Sequence, residues 1–197
     1  MILPGFIEGH THVEGVALGN DWINLLNVKS PEECAQITKK WADANPDEDW
    51  VFGFGWYAAN WENSAFPTKE ILDKLIPDRP VFLLDFDYHN GWFNSKALEM
   101  LGINKDTPDP TDGKIFRDKN GEPTGYIQDG LMWSAYDIIY NKIEKDADKY
   151  FPETFKVFAS YGITSINDMG SWSNDNDGII KALANFEKQG ALKTRVF

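Results

Sequence analysis

Only one cysteine, Cys34, occurs among the 197 residues. A single thiol can form no internal disulfide and no CxxC zinc or redox pair. Basic residues are also few: 19 Lys and Arg stand against 31 Asp and Glu, a formal charge of −12 at pH 7. No basic cluster offsets that balance, which argues against duplex nucleic-acid binding and against polybasic attachment to a membrane surface. Long apolar runs are missing as well, and none approaches the ~20 residues of a bilayer span. The apolar stretch from Met1 to Ile7 has no basic flank and soon meets Glu8. That is not the pattern of a secretory leader, and a cytoplasmic protein is expected. There is no P-loop, no GxGxxG after a strand and no GxSxG elbow. Ser173–Gly178 looks like a calcium loop, but with Gly178 sixth, the first and twelfth positions are Ser173 and Ala184. The ligands at both ends of such a loop are absent.

Hydrophobic residues at 42% and charged residues at 25% are ordinary for a folded domain. Aromatic content is high at 14%, with eight Trp. That suits a sugar or aromatic ligand, although core packing is the simpler use. A first strand is read over about Leu3–Val13, followed by a Gly-rich connection. Ser30-Pro31-Glu32-Glu33 then supplies an N-cap, a Pro at N1 and a capping-box Glu. Cys34, Ile37 and Trp41 follow on one helical face, so Cys34 reads as a core residue. Strands are expected within 50–61 and over 81–86, with a short helix at 68–75 between them. Lys114–Ile127 reads as a hairpin around Asn120-Gly121. Helices are expected over about 131–148, 152–161 and from Asp177 to near Gly190, with strands at 163–168 and 193–197. The last third therefore has the alternation of βα units on a parallel sheet.

The sharpest chemical signal is Gly9-His10-Thr11-His12-Val13. Strand side chains alternate with period two, so His10 and His12 share a face. Two imidazoles one pleat apart can both donate to a Zn²⁺-like ion at ~2.0–2.1 Å. Two of the three histidines in the chain sit in this motif, and exposed, hydrogen-bonded imidazoles are the plainer alternative. A second cluster, LLDFDYHNGWFNSKAL, places Asp85, Asp87 and His89 after an apolar strand, with Trp92 and Asn94 beyond. His89, Trp92 and Asn94 fit a pocket rim; alternatively Asn94 or Ser95 caps the helix that follows. Asp85 reads as a loop cap. Asp129 follows the hairpin, where a carboxylate could cap, coordinate or catalyse. Asp168 closes a strand at its C-terminal end, where a catalytic and a helix-capping role are equally open.

Taken together, these segments resemble the amidohydrolase superfamily, and within it the amidohydrolase family 3 branch that includes N-substituted formamide deformylases. ILPGFIEGHTHV is similar to the opening strand of that branch, with Glu8 where Asp is usual. FGFGWYAANW, TKEILDKLIPDRPVFLLDFDYHNGWFNSKALEMLGI, GKIFRDKNGEPTGYIQDG and YGITSINDMG follow in family order. The resemblance implies an α/β fold: a partial TIM barrel of the metal-dependent hydrolase type with a large inserted α+β lobe. The barrel parts are expected at 1–49 and 150–197 and the lobe at 50–149. It implies a divalent metal, zinc by expectation, that activates water against an amide or related C–N bond of a small molecule.

His10 and His12 match the first two metal ligands. Asp129 matches a position usually filled by Glu, a ligand or active-site acid. His89 and Asn94 match a motif near the substrate pocket, with Trp92 beside them, and Asp168 matches the end of a barrel strand. Superfamily members draw further His ligands and a catalytic Asp from later strands, and no histidine follows Asp168 here. The chain is therefore expected to be an N-terminal part of an enzyme, preceded by further residues, inactive alone and prone to self-association as a homo-oligomer. Two rivals remain: a non-catalytic aromatic-rich ligand-binding module, and a glycoside hydrolase using carboxylates such as Asp87 and Asp129.

Overall fold

A computed structural model describes residues 3–19, 22–61, 66–170 and 177–197. Most of the calcium-like segment, 173–176, lies outside the described residues. In chain order the elements open with β1 (Phe6–Thr11), α1 (Val13–Gly19), β2 (Ile23–Asn24), α2 (Pro31–Ala44) and β3 (Val51–Trp56). Next come α3 (Lys69–Asp73), β4 (Val81–Asp85), β5 (Asn90–Phe93) and α4 (Ser95–Met100). The remainder holds β6 (Gly113–Arg117), β7 (Pro123–Asp129), α5 (Trp133–Ser160), β8 (Ile163–Asp168), α6 (Asp177–Lys188) and β9 (Arg195–Val196). These α/β elements divide into two compact units, Met1–Asp21 with Tyr136–Phe197, and Trp22–Ala135.

The first unit is built on a parallel sheet of order β1-β8-β9. Phe6 pairs with Ile163 and Thr11 with Asp168, and Ser165 and Ile166 pair with Arg195 and Val196. Parallel neighbours need a crossover, and α6 supplies it between β8 and β9. Val13 and Ala17 of α1, Phe151, Phe155 and Phe158 of α5, and Leu183 and Phe186 of α6 pack with Ile166 in one core. Each helix presents these residues at spacings of three or four, the period of one helical face.

Two local expectations are corrected in this unit. The strand read through Val13 ends at Thr11, and a helix replaces the Gly-rich connection because Val13 and Ala17, one turn apart, are both buried. The helices read separately at 131–148 and 152–161 are one helix of 28 residues with Pro152 inside it. Proline removes one backbone donor. Burial of Tyr150, Phe151, Phe155 and Phe158 on both sides of it favours continuity over a break.

The second unit carries a six-stranded mixed sheet of order β2-β3-β4-β5-β7-β6. The first three strands run parallel, and β5, β7 and β6 join by antiparallel pairs. Ser30 Oγ accepts the Glu33 N–H at 3.1 Å, and Glu33 Oε2 reaches back to the Lys29 N–H at 2.8 Å. This reciprocal cap starts α2 where the sequence places it. The buried face of α2, Cys34, Ala35 and Ala42, joins Val51, Trp56, Val81, Leu83 and Trp92 in one core. Residues 22–49, read from sequence with the barrel parts, therefore pack with the second unit instead. Burial, aided by the charge of Glu33, pushes the Cys34 thiol far above its ordinary pKa, consistent with a packing residue. At the hairpin tip Asp118 Oδ1 accepts the N–H groups of Asn120 and Glu122, and Gly121 adopts φ +83°. An Asn-Gly turn needs that left-handed position.

Candidate active site

In a parallel sheet the C-terminal strand ends gather at one edge, where open backbone groups and helix starts make sites. In the first unit that edge carries His10, His12 and Asp168. The His10 and His12 rings have centroids 5.6 Å apart and planes at 76°. His12 is the last residue before α1, and its carbonyl accepts the Val16 N–H at 3.1 Å. Its ring Nδ1 lies 2.8 Å from the Gly170 carbonyl oxygen. A carbonyl only accepts, so Nδ1 carries a proton, and the neutral ring of this tautomer has its lone pair on Nε2. Metal-binding histidines are oriented in this way, by a carbonyl or carboxylate on the other ring nitrogen.

The segment after β8 is stitched to the end of β1. Met169 N–H donates to Thr11 O at 2.8 Å, and Asp168 N–H donates to Phe197 O at 2.9 Å. Asp168 Oδ1 accepts the Val13 N–H at 3.1 Å. Its carboxylate thus accepts the first amide of α1, as the capping reading of this residue has it. On the other side of His10, Glu8 Oε1 accepts the His10 backbone N–H at 3.0 Å. Glu14, two residues past His12, is also buried and accepts from the Tyr136 hydroxyl at 3.4 Å. An acid in the first turn of a helix beside HxH is the one sequence signal that marks it. A cleft of about 800 Å³, lined by Asp168, Gly170, Leu183, Glu187, Lys193 and Arg195 among others, opens beside β8 and β9.

Two imidazoles with one ring already oriented suit a divalent metal as a partial ligand set. Among the described residues no group of three or more His, Cys, Asp or Glu is placed to hold an ion. The fit therefore extends to His10 and His12.

The second unit brings His89 and Asp129 together. His89 Nδ1 donates to Asp129 Oδ1 at 2.8 Å, and the Asp129 N–H donates to the His89 carbonyl at 2.9 Å. That hydrogen bond, reinforced by the charges of Asp129, Asp85 and Asp87, raises the His89 pKa above its ordinary value. Asp129 makes no side-chain cap to the turn of helix that follows. Its carboxylate is engaged by His89.

Trp92 and Asn94, read from sequence as rim residues, are interior. Trp92 is fully buried among Trp56 and Trp61, and its indole N–H donates to Thr68 O at 3.1 Å. Asn94 is fully buried too. Its Nδ2 donates to Ile76 O and Arg79 O, both at 2.8 Å, while its Oδ1 accepts from Val81 N and Ala97 N at 2.9 Å. Four bonds exhaust the capacity of an amide side chain, which leaves none for a ligand. It ties α4 and β4 together, the helix-capping alternative in an extended form.

Comparison with known proteins adds four findings. The model of the Amidohydrolase family, Amidohydro_3, matches residues 1–197. The exoenzymes regulatory protein AepA of Pectobacterium carotovorum is 31% identical over 199 residues, covering 98% of this chain and 42% of that protein. N-substituted formamide deformylase of Arthrobacter pascens is 28% identical over 173 residues, covering 85% of this chain and 32% of that protein. An uncharacterized metal-dependent hydrolase from Pyrococcus horikoshii superposes with a TM-score of 0.68 at 26% identity, over 98% of this chain and 36% of its own. The chain spans less than half the length of the curated relatives it matches.

Proposed function

Since the chain belongs to the amidohydrolase family, we propose that it contributes the first part of the catalytic centre of a metal-dependent hydrolase. The carrying observation is the His10–His12 pair at the C-terminal sheet edge, with the His12 ring oriented by the Gly170 carbonyl. In this reading His10 and His12 hold a divalent metal, zinc by preference for imidazole ligands. When bound, the ion supplies Lewis-acid activation of water and of a scissile carbonyl. Asp168, at the adjacent strand end, accepts a proton at its carboxylate. Taken by itself, the second unit offers Asp129 as an acid and His89, whose Nδ1 proton Asp129 accepts, as a substrate contact. The reaction class is hydrolysis of an amide or related C–N bond in a small molecule, a reading supported by the name of the Arthrobacter relative.

The parallel β1-β8-β9 sheet is read as the opening of a TIM-type barrel, and 22–135 as an inserted α+β lobe. The likeness to the Pyrococcus hydrolase supports that reading. Two imidazoles are half of a four-coordinate zinc shell. This reading therefore expects these 197 residues by themselves to bind zinc weakly and to show no amide turnover.

The test is hydrolysis of a panel of N-acyl and N-formyl amines with added Zn²⁺, alongside zinc binding. Stoichiometric zinc binding that depends on His10 and His12, without turnover, supports the two-ligand reading. Chelator-sensitive hydrolysis lost in His10→Ala keeps the hydrolase and corrects the ligand count. Hydrolysis unaffected by chelator and by His10→Ala contradicts the proposal.

A further inference from the structure

The turn between β4 and β5 is built on a carboxylate that the proposed chemistry does not use. Asp85, the last residue of β4, is 3% exposed. Its Oδ1 accepts the backbone N–H groups of His89 at 3.1 Å and Asn90 at 3.0 Å. Its Oδ2 accepts from Asn90 Nδ2 at 2.6 Å, and its own carbonyl accepts the Tyr88 N–H at 3.4 Å. Inside this turn Tyr88 adopts φ +64°, a left-handed conformation that L side chains adopt at a cost. Across from it, Asp129 at the end of β7 adopts φ +46° and ψ −153°. These are the two non-glycine residues with positive φ among the described residues. Both lie at the His89–Asp129 contact, and such strain persists only where the surroundings over-determine it.

We propose that Asp85 is a positioning residue, whose two oxygens fix the turn that delivers the His89 imidazole to the Asp129 carboxylate. Its catalytic meaning rests on reading His89–Asp129 as an active-site pair; its geometry does not. The chemistry of the contact is specific. Oδ1 must accept two amide protons while Oδ2 accepts a third, which an ionised carboxylate does with both oxygens. An asparagine at 85 could keep its oxygen on the backbone amides, but as a neutral and weaker acceptor, and its NH₂ group would replace the oxygen that accepts from Asn90 Nδ2 at 2.6 Å. The turn would open, and His89 would lose its alignment with Asp129. Exchanging the two residues restores a donor against an acceptor.

Nuclear magnetic resonance of the His89 ring tests this at a fixed pH below the His89 pKa, with Asp129→Asn as the reference for a lost acceptor. In the wild type, the Nδ1 proton should be shifted downfield by its bond to Asp129. Asp85→Asn should lose that signal as Asp129→Asn does, and Asp85→Asn with Asn90→Asp should recover it. A folded Asp85→Asn variant with the His89 signal unchanged would overturn the proposal. If Asp85→Asn does not fold, the exchanged pair decides: the wild-type signal supports the proposal, and a folded pair without it contradicts it. A merely structural role would move the unfolding temperature and leave the ring signal of the folded protein in place. These signals need neither metal nor substrate, so failure of the hydrolase reading would leave this test intact.

Discussion

The ring of His12 and the carbonyl of Gly170 lie 158 residues apart in sequence and 2.8 Å apart in space. The bond fixes which nitrogen of His12 carries its proton, and it depends on Gly170 keeping its φ of +83°. A Cβ at that φ is strained. Gly170→Ala should therefore turn the carbonyl away and release the ring. Partners of this kind contribute about 10–100-fold in metal affinity, so a zinc titration of Gly170→Ala should show weakening in that range. Unchanged affinity would mean that the carbonyl does not orient a ligand.

His89 provides the pH dependence. Its pKa is raised in the folded protein, chiefly by the hydrogen bond to Asp129. A raised pKa means that the pair stabilises the fold fully below the unfolded value of about 6.5, and that this contribution fades as pH rises through the folded value. The side chain is 65% exposed, so solvent screening keeps the energy at the small end for ion pairs. Titration followed on the His89 ring should give a midpoint above 6.5 in the wild type and a lower one in Asp129→Asn. Equal midpoints would remove the pair.

Asn94 should be among the most damaging polar positions. Asn94→Ala removes a helix cap worth about 1 kcal/mol and strands buried partners at about 1–3 kcal/mol each before relaxation. Denaturant unfolding should show a loss of about 3 kcal/mol. Since the side chain faces no ligand, the His89–Asp129 signal should survive in whatever fraction remains folded. A loss below about 1 kcal/mol would contradict the buried network.

Local signals were legible and distant ones were not. The cap Ser30-Pro31-Glu32-Glu33, the Asn120-Gly121 turn and the strand Ile163–Asp168 each carry their instructions within a few residues. The HxH pair was visible because strand periodicity is local. Continuity of α5 through Pro152 was hidden, because it follows from burial of aromatics against other elements. Trp92 and Asn94 looked like rim residues because their type suits a pocket, whereas their interior place depends on partners as far away as Thr68 and Ile76. Gly170 acts through its backbone carbonyl, which carries no residue signature, whereas Asp85 was legible as a loop cap.

Zinc titration by calorimetry of the wild-type chain and of His10→Ala, His12→Ala and the double variant measures most directly whether the strand-end imidazoles are metal ligands. A pair with one ring already oriented should give weak, stoichiometric binding that each single change abolishes. Zinc binding of unchanged affinity and stoichiometry in the double variant would place the metal elsewhere and contradict the assignment of His10 and His12.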